Sequence, residues 1–438
     1  MKLIHQKINF DVKELAREEL PLTHLLYDKE KQLWSDLNEL FEFPRDNQKN
    51  MPFYVVDVAT AEKTAGVFGE VYNMLMEALF YVFKEDMSVI KKFFGQDFMS
   101  RHPYFFEYAK ETFKRKHPAL YGRFDAAFDP ETNEVKAIYE FNGDTPVMLF
   151  ESVILENNLS CQVVDTGFAQ SNYYYEMLSD FVAKMKPRQA FAVLCDTDYV
   201  EDMVACETFA QIFNSKGMCL FDNIKNIQHD FTVKSGSPFF VSDINVSDIF
   251  LLCPWEEMVE AQPEFFKNWK SWVNDVNFYE PAWRWFISNK GIWAYITDLC
   301  MHNPTFYAKY KHLPILPTFM DNSEFLKSGA PYVQKPLIGR LSMNVRLYDG
   351  QENGNALVYE SEGVYAEEQC IYQTYMPPYK LPERAHFIMC YWMAPVLDEF
   401  GQAKGMNAEP ATLAFREFDG VVTVISTERF IPHLVLDY

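Results

Sequence analysis

The sequence predicts a mixed fold, part α/β with a parallel sheet and part α+β with antiparallel strands. Three observations predict it. Ala190-Phe191-Ala192-Val193-Leu194-Cys195 is a short continuous apolar run, the pattern of a strand buried on both faces. An amphipathic stretch from Glu201 to Asn214 follows, then apolar runs at 218–221 and 249–253. Strand, helix and strand in that order mark a parallel pair. The C-terminal third reads differently. Tyr332 to about Tyr375 is strand-rich, and Val345-Arg346-Leu347-Tyr348 alternates and meets Asp349-Gly350, a hairpin signal. Residues 386–396 and 411–426 are rich in β-branched and aromatic residues, which favour strands.

Each element has a local reason. Residues 12–43 have a helical texture, interrupted at Pro21 and closed by Pro44, because proline lacks the N–H a helix interior needs. Residues 61–95 form the longest helical region. Val67, Val71, Met74, Leu75, Ala78, Leu79 and Val82 recur there at helical spacing and predict a core face. A helix is expected over 103–115, a hairpin over 121–142, and helices over 147–155, 173–185 and 291–301. Gly217 stands where a helix end favours a left-handed residue. The loops Asp196–Asp202 and Trp255–Glu257 follow predicted parallel strands, where α/β sheets usually bind ligands.

Composition bounds the function. A chain of 438 residues, 48% hydrophobic and 16% aromatic, can bury a large core in two or three lobes. Its net charge of −22 argues against nucleic acid and against anionic membranes as partners. The eight cysteines, at 161, 195, 206, 219, 253, 300, 370 and 390, form no CxxC pair, so reduced thiols and no structural zinc are expected. The first residues carry no apolar segment of the signal-peptide kind, and no run of 18 apolar residues occurs. A cytoplasmic location is expected. GxGxxG, GxxxxGK[ST], GxSxG and HExxH are all absent, and the nine histidines form no ligand-spaced cluster.

The chemistry concentrates in Tyr121-Gly122-Arg123-Phe124-Asp125 and Glu140-Phe141-Asn142-Gly143-Asp144-Thr145-Pro146. Asp129-Pro130-Glu131-Thr132-Asn133-Glu134 between them is turn-rich. In a symmetric hairpin Asp125 faces Glu140 and Arg123 faces Asn142, and all four share one face. Two carboxylates and an amide there are an oxygen donor set for Mg²⁺, and an adjacent arginine suits a phosphate or carboxylate. The alternative is a solvated hairpin whose charges pair with each other. If the face is exposed, Asp125→Asn is expected to weaken binding and leave the fold intact.

In order, several segments resemble the synthetase domain of the glutathionylspermidine synthase family, ATP-grasp carbon–nitrogen ligases. They are the two above, Pro254-Trp255-Glu256, Glu280-Pro281-Ala282-Trp283 with Asn289-Lys290, and Lys335-Pro336 with Arg340 and Asn344. Gln373 with Tyr375, Arg416-Glu417 and Phe430-Ile431-Pro432-His433 complete the set. The resemblance runs from about residue 100 to the end. It implies an ATP-grasp-like fold in circularly permuted order, with an added α/β lobe. One unit over 1–438 is expected, with sub-lobes at about 1–165, 166–290, 291–378 and 379–438. The implied reaction joins a small-molecule, peptide-like carboxylate to an amine, with a polyamine as one candidate, through an acyl phosphate made from ATP. By resemblance Asp125, Glu140 and Asn142 hold Mg²⁺. Lys290 and Lys335 contact nucleotide phosphates, and Gln373, Thr374 and Tyr375 hold the adenine through backbone groups. Arg123 meets the acyl substrate, and Arg416 stabilises phosphoryl transfer.

Two stretches depart from the family pattern. After Lys335-Pro336 the family has a mobile lid resembling Gly/Ser-Arg-Glu-Gly-x-Asn-Val, and this chain has Gly339-Arg340-Leu341-Ser342-Met343-Asn344-Val345. Leu341 replaces the acid and Ser342 the glycine, which alone adopts positive φ freely. A nucleotide-binding pseudoenzyme is therefore the alternative to a ligase. After Asp144-Thr145-Pro146, Val147 and Met148 stand where family members carry hydroxyls, which points away from glutathione as the substrate. The chain has no cysteine before 161, so the amidase activity of bifunctional members is not expected.

Overall fold

The computed structural model describes residues 1–8, 12–27, 51–163, 168–350, 354–423 and 427–436. The predicted parallel pair is part of a larger sheet. Ala190–Cys195 lies between Cys219–Asn223 and Ile244–Leu251, all parallel, and Asn277–Tyr279 extends the set on the far side. Helix Val200–Lys216 is the crossover between the first two strands. Phe191, Ala192, Val193 and Leu194 are fully buried, as a strand covered on both faces requires. Gly217 does follow the helix, but at φ −176°, so its backbone is extended and not left-handed.

The antiparallel part forms two sheets. In the central sheet, Arg123–Asp129 lies between Glu134–Asn142 and His386–Pro395, followed by Ala408–Phe418 and Arg429–Ile431. The strand expected over 411–426 ends at Phe418. The second sheet pairs Tyr332–Pro336 with Cys370–Thr374 and Arg346–Tyr348. The expected hairpin at Asp349-Gly350 forms, with Arg346–Tyr348 against Leu357–Glu360, but its loop is longer than a two-residue turn. A small sheet joins the two ends of the chain, with Tyr54 opposite His433.

The long helix, Val58–Val82, starts on Asp57, whose carboxylate accepts from the Thr60 N–H at 2.6 Å. Val71, Met74, Leu75, Ala78, Leu79 and Val82 are buried as their spacing predicts, and each of the five larger side chains contributes about 1.5–3 kcal/mol by leaving water. The helical region then breaks and resumes as Met87–Phe94 on an Asp86 cap. Other helices span Pro103–Lys114, Tyr174–Lys184 and Gly291–His302, close to expectation. The segment expected over 147–155 includes a π-helical turn, Glu151–Leu155. Of the stretch 12–43, Val12–Glu19 and Pro21–Leu26 are helical, and 28–43 lies outside the described residues.

A Cβ on Gly291 would sit 1.7 Å from the Phe93 carbonyl oxygen. Only glycine lets this helix start so close to the 87–94 helix, and that contact positions the preceding Lys290. All eight cysteines are free thiols. No helix among the described residues is long and apolar enough to cross a membrane.

Candidate functional site

Arg123, Asp125, Glu140, Asn142, Lys290, Lys335, Gln373, Thr374, Tyr375 and Arg416 all line one cleft of about 830 Å³. The hairpin pairs Arg123 with Asn142 and Asp125 with Glu140, as the sequence predicts. It is not symmetric, however. Two irregularities on the second strand skip Tyr139 and Lys136, so the turn end pairs Asp129 with Glu134. The first bulge also turns Tyr139 into the cleft, where its hydroxyl donates to the Met376 carbonyl at 2.9 Å.

The face is not solvated. Asp125 is 4% exposed, which corrects the expectation of an exposed carboxylate. Arg123 grips it through Nε at 2.7 Å and Nη2 at 3.0 Å, and Arg416 Nη1 donates to it at 3.2 Å. Arg123 also donates to the Val147 carbonyl at 2.6 Å, and its guanidinium lies over the Trp392 ring. Asn142 Nδ2 lies 3.4 Å from both Asp125 Oδ2 and Glu140 Oε1, so three side chains converge on one point. Among the described residues no three His, Cys, Asp or Glu side chains form a metal-binding group. The donor set here is two carboxylates and an amide.

Lys290 Nζ lies 3.3 Å from Glu140 and donates to the Gly339 carbonyl at 2.7 Å. Burial alone would raise the Glu140 carboxyl, but Lys290 and Lys335 hold it well below the usual range. Lys335 donates to Gln373 Oε1 at 2.8 Å. Among the described cleft-lining cations, Lys335 is the one with no carboxylate within 4 Å, and burial lowers it to about 8. A half-buried ammonium with no carboxylate at ion-pair distance is a site made for an anion. Thr374 and Tyr375 line the cleft, but their N–H groups are spent on the Pro317 and Pro331 carbonyls. Of the backbone groups expected to hold a base, these two amides are already taken.

The lid segment lies over the cleft and is anchored. Arg340 donates to both Asp144 oxygens at 2.9 and 3.2 Å, and to Glu256 at 2.8 Å. Leu341, Ser342 and Asn344 all have φ near 55°, so the positions do require left-handed backbone, and non-glycine residues adopt it here. Ser342 pairs its hydroxyl with Thr423 at 2.7 Å, and Asn344 accepts from the Tyr365 N–H at 2.8 Å. Gly363 leaves room beneath, since its Cβ would meet Met343 Cβ at 2.4 Å.

The far end of the cleft is acidic. The flagged loop 196–202 contributes here, with Glu201 and Asp202 lining the wall beside Glu151 and Glu257. Burial pushes Glu151 up to about 8. Burial and then the neighbouring Glu201 push Asp202 up to about 7. Glu428, beyond Arg416, holds that guanidinium at 2.5 Å. Glu151 and Glu428 carry no site role in the sequence reading. An acid in the apolar 147–155 helical stretch was the available signal for Glu151.

Comparison with known proteins gives one family and several relatives. The family model for the glutathionylspermidine synthase preATP-grasp unit matches residues 34–436. A Haemophilus influenzae protein named "Putative acid--amine ligase" is 27% identical over 261 residues, 58% of this chain and 60% of that protein. Trypanothione synthetase of Crithidia fasciculata is 24% identical over 300 residues, 60% of this chain and 41% of that protein. The matches thus span less than two thirds of either relative. In fold, a glutathione synthetase-like effector from Globodera pallida aligns over 98% of both chains with a TM-score of 0.52 at 10% identity. A match over nearly the whole length decides the assignment: the chain belongs to the glutathionylspermidine synthase preATP-grasp family.

Proposed function

We propose that this chain is an ATP- and Mg²⁺-dependent carbon–nitrogen ligase, with ATP-grasp-like parts in circularly permuted order and sub-lobes bounded as the sequence suggests. The observation that carries the reading is Lys335, a half-buried ammonium with no carboxylate within 4 Å, facing Glu140 and Lys290 across one cleft. The family and the acid–amine ligase name of a relative support it. In the reaction a carboxylate oxygen attacks the γ-phosphorus of ATP and ADP leaves. The amine nitrogen then attacks the acyl carbon, and phosphate leaves.

The residues suit those charges. Lys290 and Lys335 draw the phosphates in as compact cations. Arg416, held by Asp125 and Glu428, points a fixed guanidinium at the transferring group. Arg123 fixes Asp125 and the Val147 carbonyl, and so orients the substrate loop. Asp125, Glu140 and Asn142 fit Mg²⁺: with its amide turned over, Asn142 presents Oδ1 at the point where the two carboxylates converge. The ion supplies charge neutralisation for the phosphates. The acidic far end suits the amine as a cation, a polyamine included. Gln373, Thr374 and Tyr375 flank the nucleotide end.

The pseudoenzyme reading is not favoured. The substituted lid keeps the left-handed backbone that glycine would give, and Arg340 seats it on the cleft. ADP release is expected only when a carboxylate and an amine are both supplied. Glu140→Gln should lower that rate about 100-fold, with circular dichroism unchanged. Tight Mg-ATP binding with no ADP release from any acid–amine panel would reverse the preference.

Lys335 gives a pH signature. Its folded value of about 8 lies below the ordinary 10.5, so it is charged below pH 8 and loses its proton above. Only the charged form attracts phosphate. Affinity for a non-hydrolysable ATP analogue should be flat from pH 6.5 to 7.5 and fall about tenfold per unit above 8. Calorimetry across that range checks this, and a flat profile to pH 9.5 would remove Lys335 from the phosphate site.

A further inference from the structure

We propose that the acyl donor carries a single carboxylate on an apolar body, selected by Val147 and Met148 together with Glu151, Glu201 and Asp202. The proposal rests on the ligase reading. Val147 and Met148 line the cleft next to Arg123, with Val200 and Leu252 also on its wall. Two carbonyls and the one hydroxyl of this loop are already used. The Val147 carbonyl takes Arg123, the Met148 carbonyl takes the Ser152 hydroxyl at 2.7 Å, and the Thr145 hydroxyl takes Arg340 at 3.1 Å. A polar side group on the donor would find no free side-chain partner on these residues to replace its lost water.

Charge selects in the same direction. Every arginine that lines the cleft already has a carboxylate: Arg123 has Asp125, Arg340 has Asp144 and Glu256, Arg416 has Asp125 and Glu428, and Arg429 has Asp419. The reacting carboxylate lies toward the two lysines. A second carboxylate on the donor would extend toward Glu151, Glu201 and Asp202 and meet no unpaired cation among the described residues. Glu151 sharpens the case. It is 4% exposed and lines the cleft, and its carboxylate is served only by its own backbone N–H. Burial keeps it largely protonated at neutral pH, so it offers a second carboxylate no positive charge and accepts an uncharged neighbour.

Two probes of similar shape test this, N-acetyl-leucylglycine and N-acetyl-aspartylglycine, which differ by one negative charge. Calorimetric titration is run on the full chain with and without Mg²⁺ and adenylyl imidodiphosphate. The leucyl probe should bind at least tenfold tighter. Glu201→Gln with Asp202→Asn should shrink that ratio several-fold, and Val147→Thr with Met148→Ser should weaken the leucyl probe alone. Equal affinities, tighter aspartyl binding, or no binding of either probe overturns the proposal. A chain that binds no nucleotide defeats the ligase reading, yet still reports its preference between the two acids. If either double variant fails to fold, the wild-type ratio decides.

Discussion

Asp125→Asn is expected to cost about 3 kcal/mol of folding stability as well as most of the nucleotide affinity. The carboxylate is buried and holds two arginines, Arg123 bidentately and Arg416 through Nη1. An amide of the same shape supplies one acceptor and turns an N–H₂ toward a guanidinium. It leaves two buried cations, Arg416 with Glu428 still beside it and Arg123 with no ion pair. Breaking a buried pair from one side costs more than the pair ever contributes, because the survivor keeps its desolvation penalty. Urea unfolding should show a lower midpoint with an unchanged slope. Adding Arg123→Met should recover most of the stability and none of the Mg-ATP affinity, since it removes the orphaned charge but not the missing ligand. If the single variant keeps both properties, Asp125 has neither role.

How much of this was readable in advance depends on distance along the chain. The pairing of Asp125 with Glu140 was legible because strand partners in one hairpin are set by local arithmetic. It came out right although the hairpin is asymmetric, because two bulges absorb the two residues by which the turn is displaced. The parallel strands were legible because burial on both faces leaves an unbroken apolar run. The gathering of Lys290 and Lys335 opposite the hairpin was not derivable from pattern and came only through resemblance. The Arg340 anchor was missed for the same reason, since Asp144 and Glu256 lie 196 and 84 residues away. The exposure of Asp125 was misread because alternation tells which residues share a face, not what covers that face. Here the carboxylate is covered by Arg123 and by Arg416, which the strand from Ala408 to Phe418 brings alongside. Gly217 was misread because glycine permits a left-handed end without requiring one.

Arg284→Met should be still more damaging, at about 3–5 kcal/mol, although no part of its side chain lines the cleft. Arg284 is fully buried. It donates to the Tyr121 carbonyl at 2.6 Å and the Gly143 carbonyl at 3.1 Å, so it ties both feet of the hairpin together just outside the paired residues. It also donates to the Tyr72 hydroxyl at 2.8 Å and lies over the Phe141 ring. Methionine fills the space but bonds to none of these oxygens. It also strands Glu280, whose Oε2 has no hydrogen-bond donor and lies 3.5 Å from Arg284 Nε. Burial already pushes Glu280 up to about 8, with Arg284 as the main opposing pull. A carboxyl raised in the folded state contributes stability that is full below its unfolded value, near 4.5, and lost as pH rises through the folded value. Removing Arg284 raises that folded value further and enlarges the loss. The variant's deficit should therefore stay constant from pH 5 to about 7.5 and grow as pH rises above 8, read from urea midpoints at each pH. A deficit still constant at pH 9.5 would mean that Glu280 stays neutral in the native protein throughout that range, and that Arg284 acts through the two carbonyls alone.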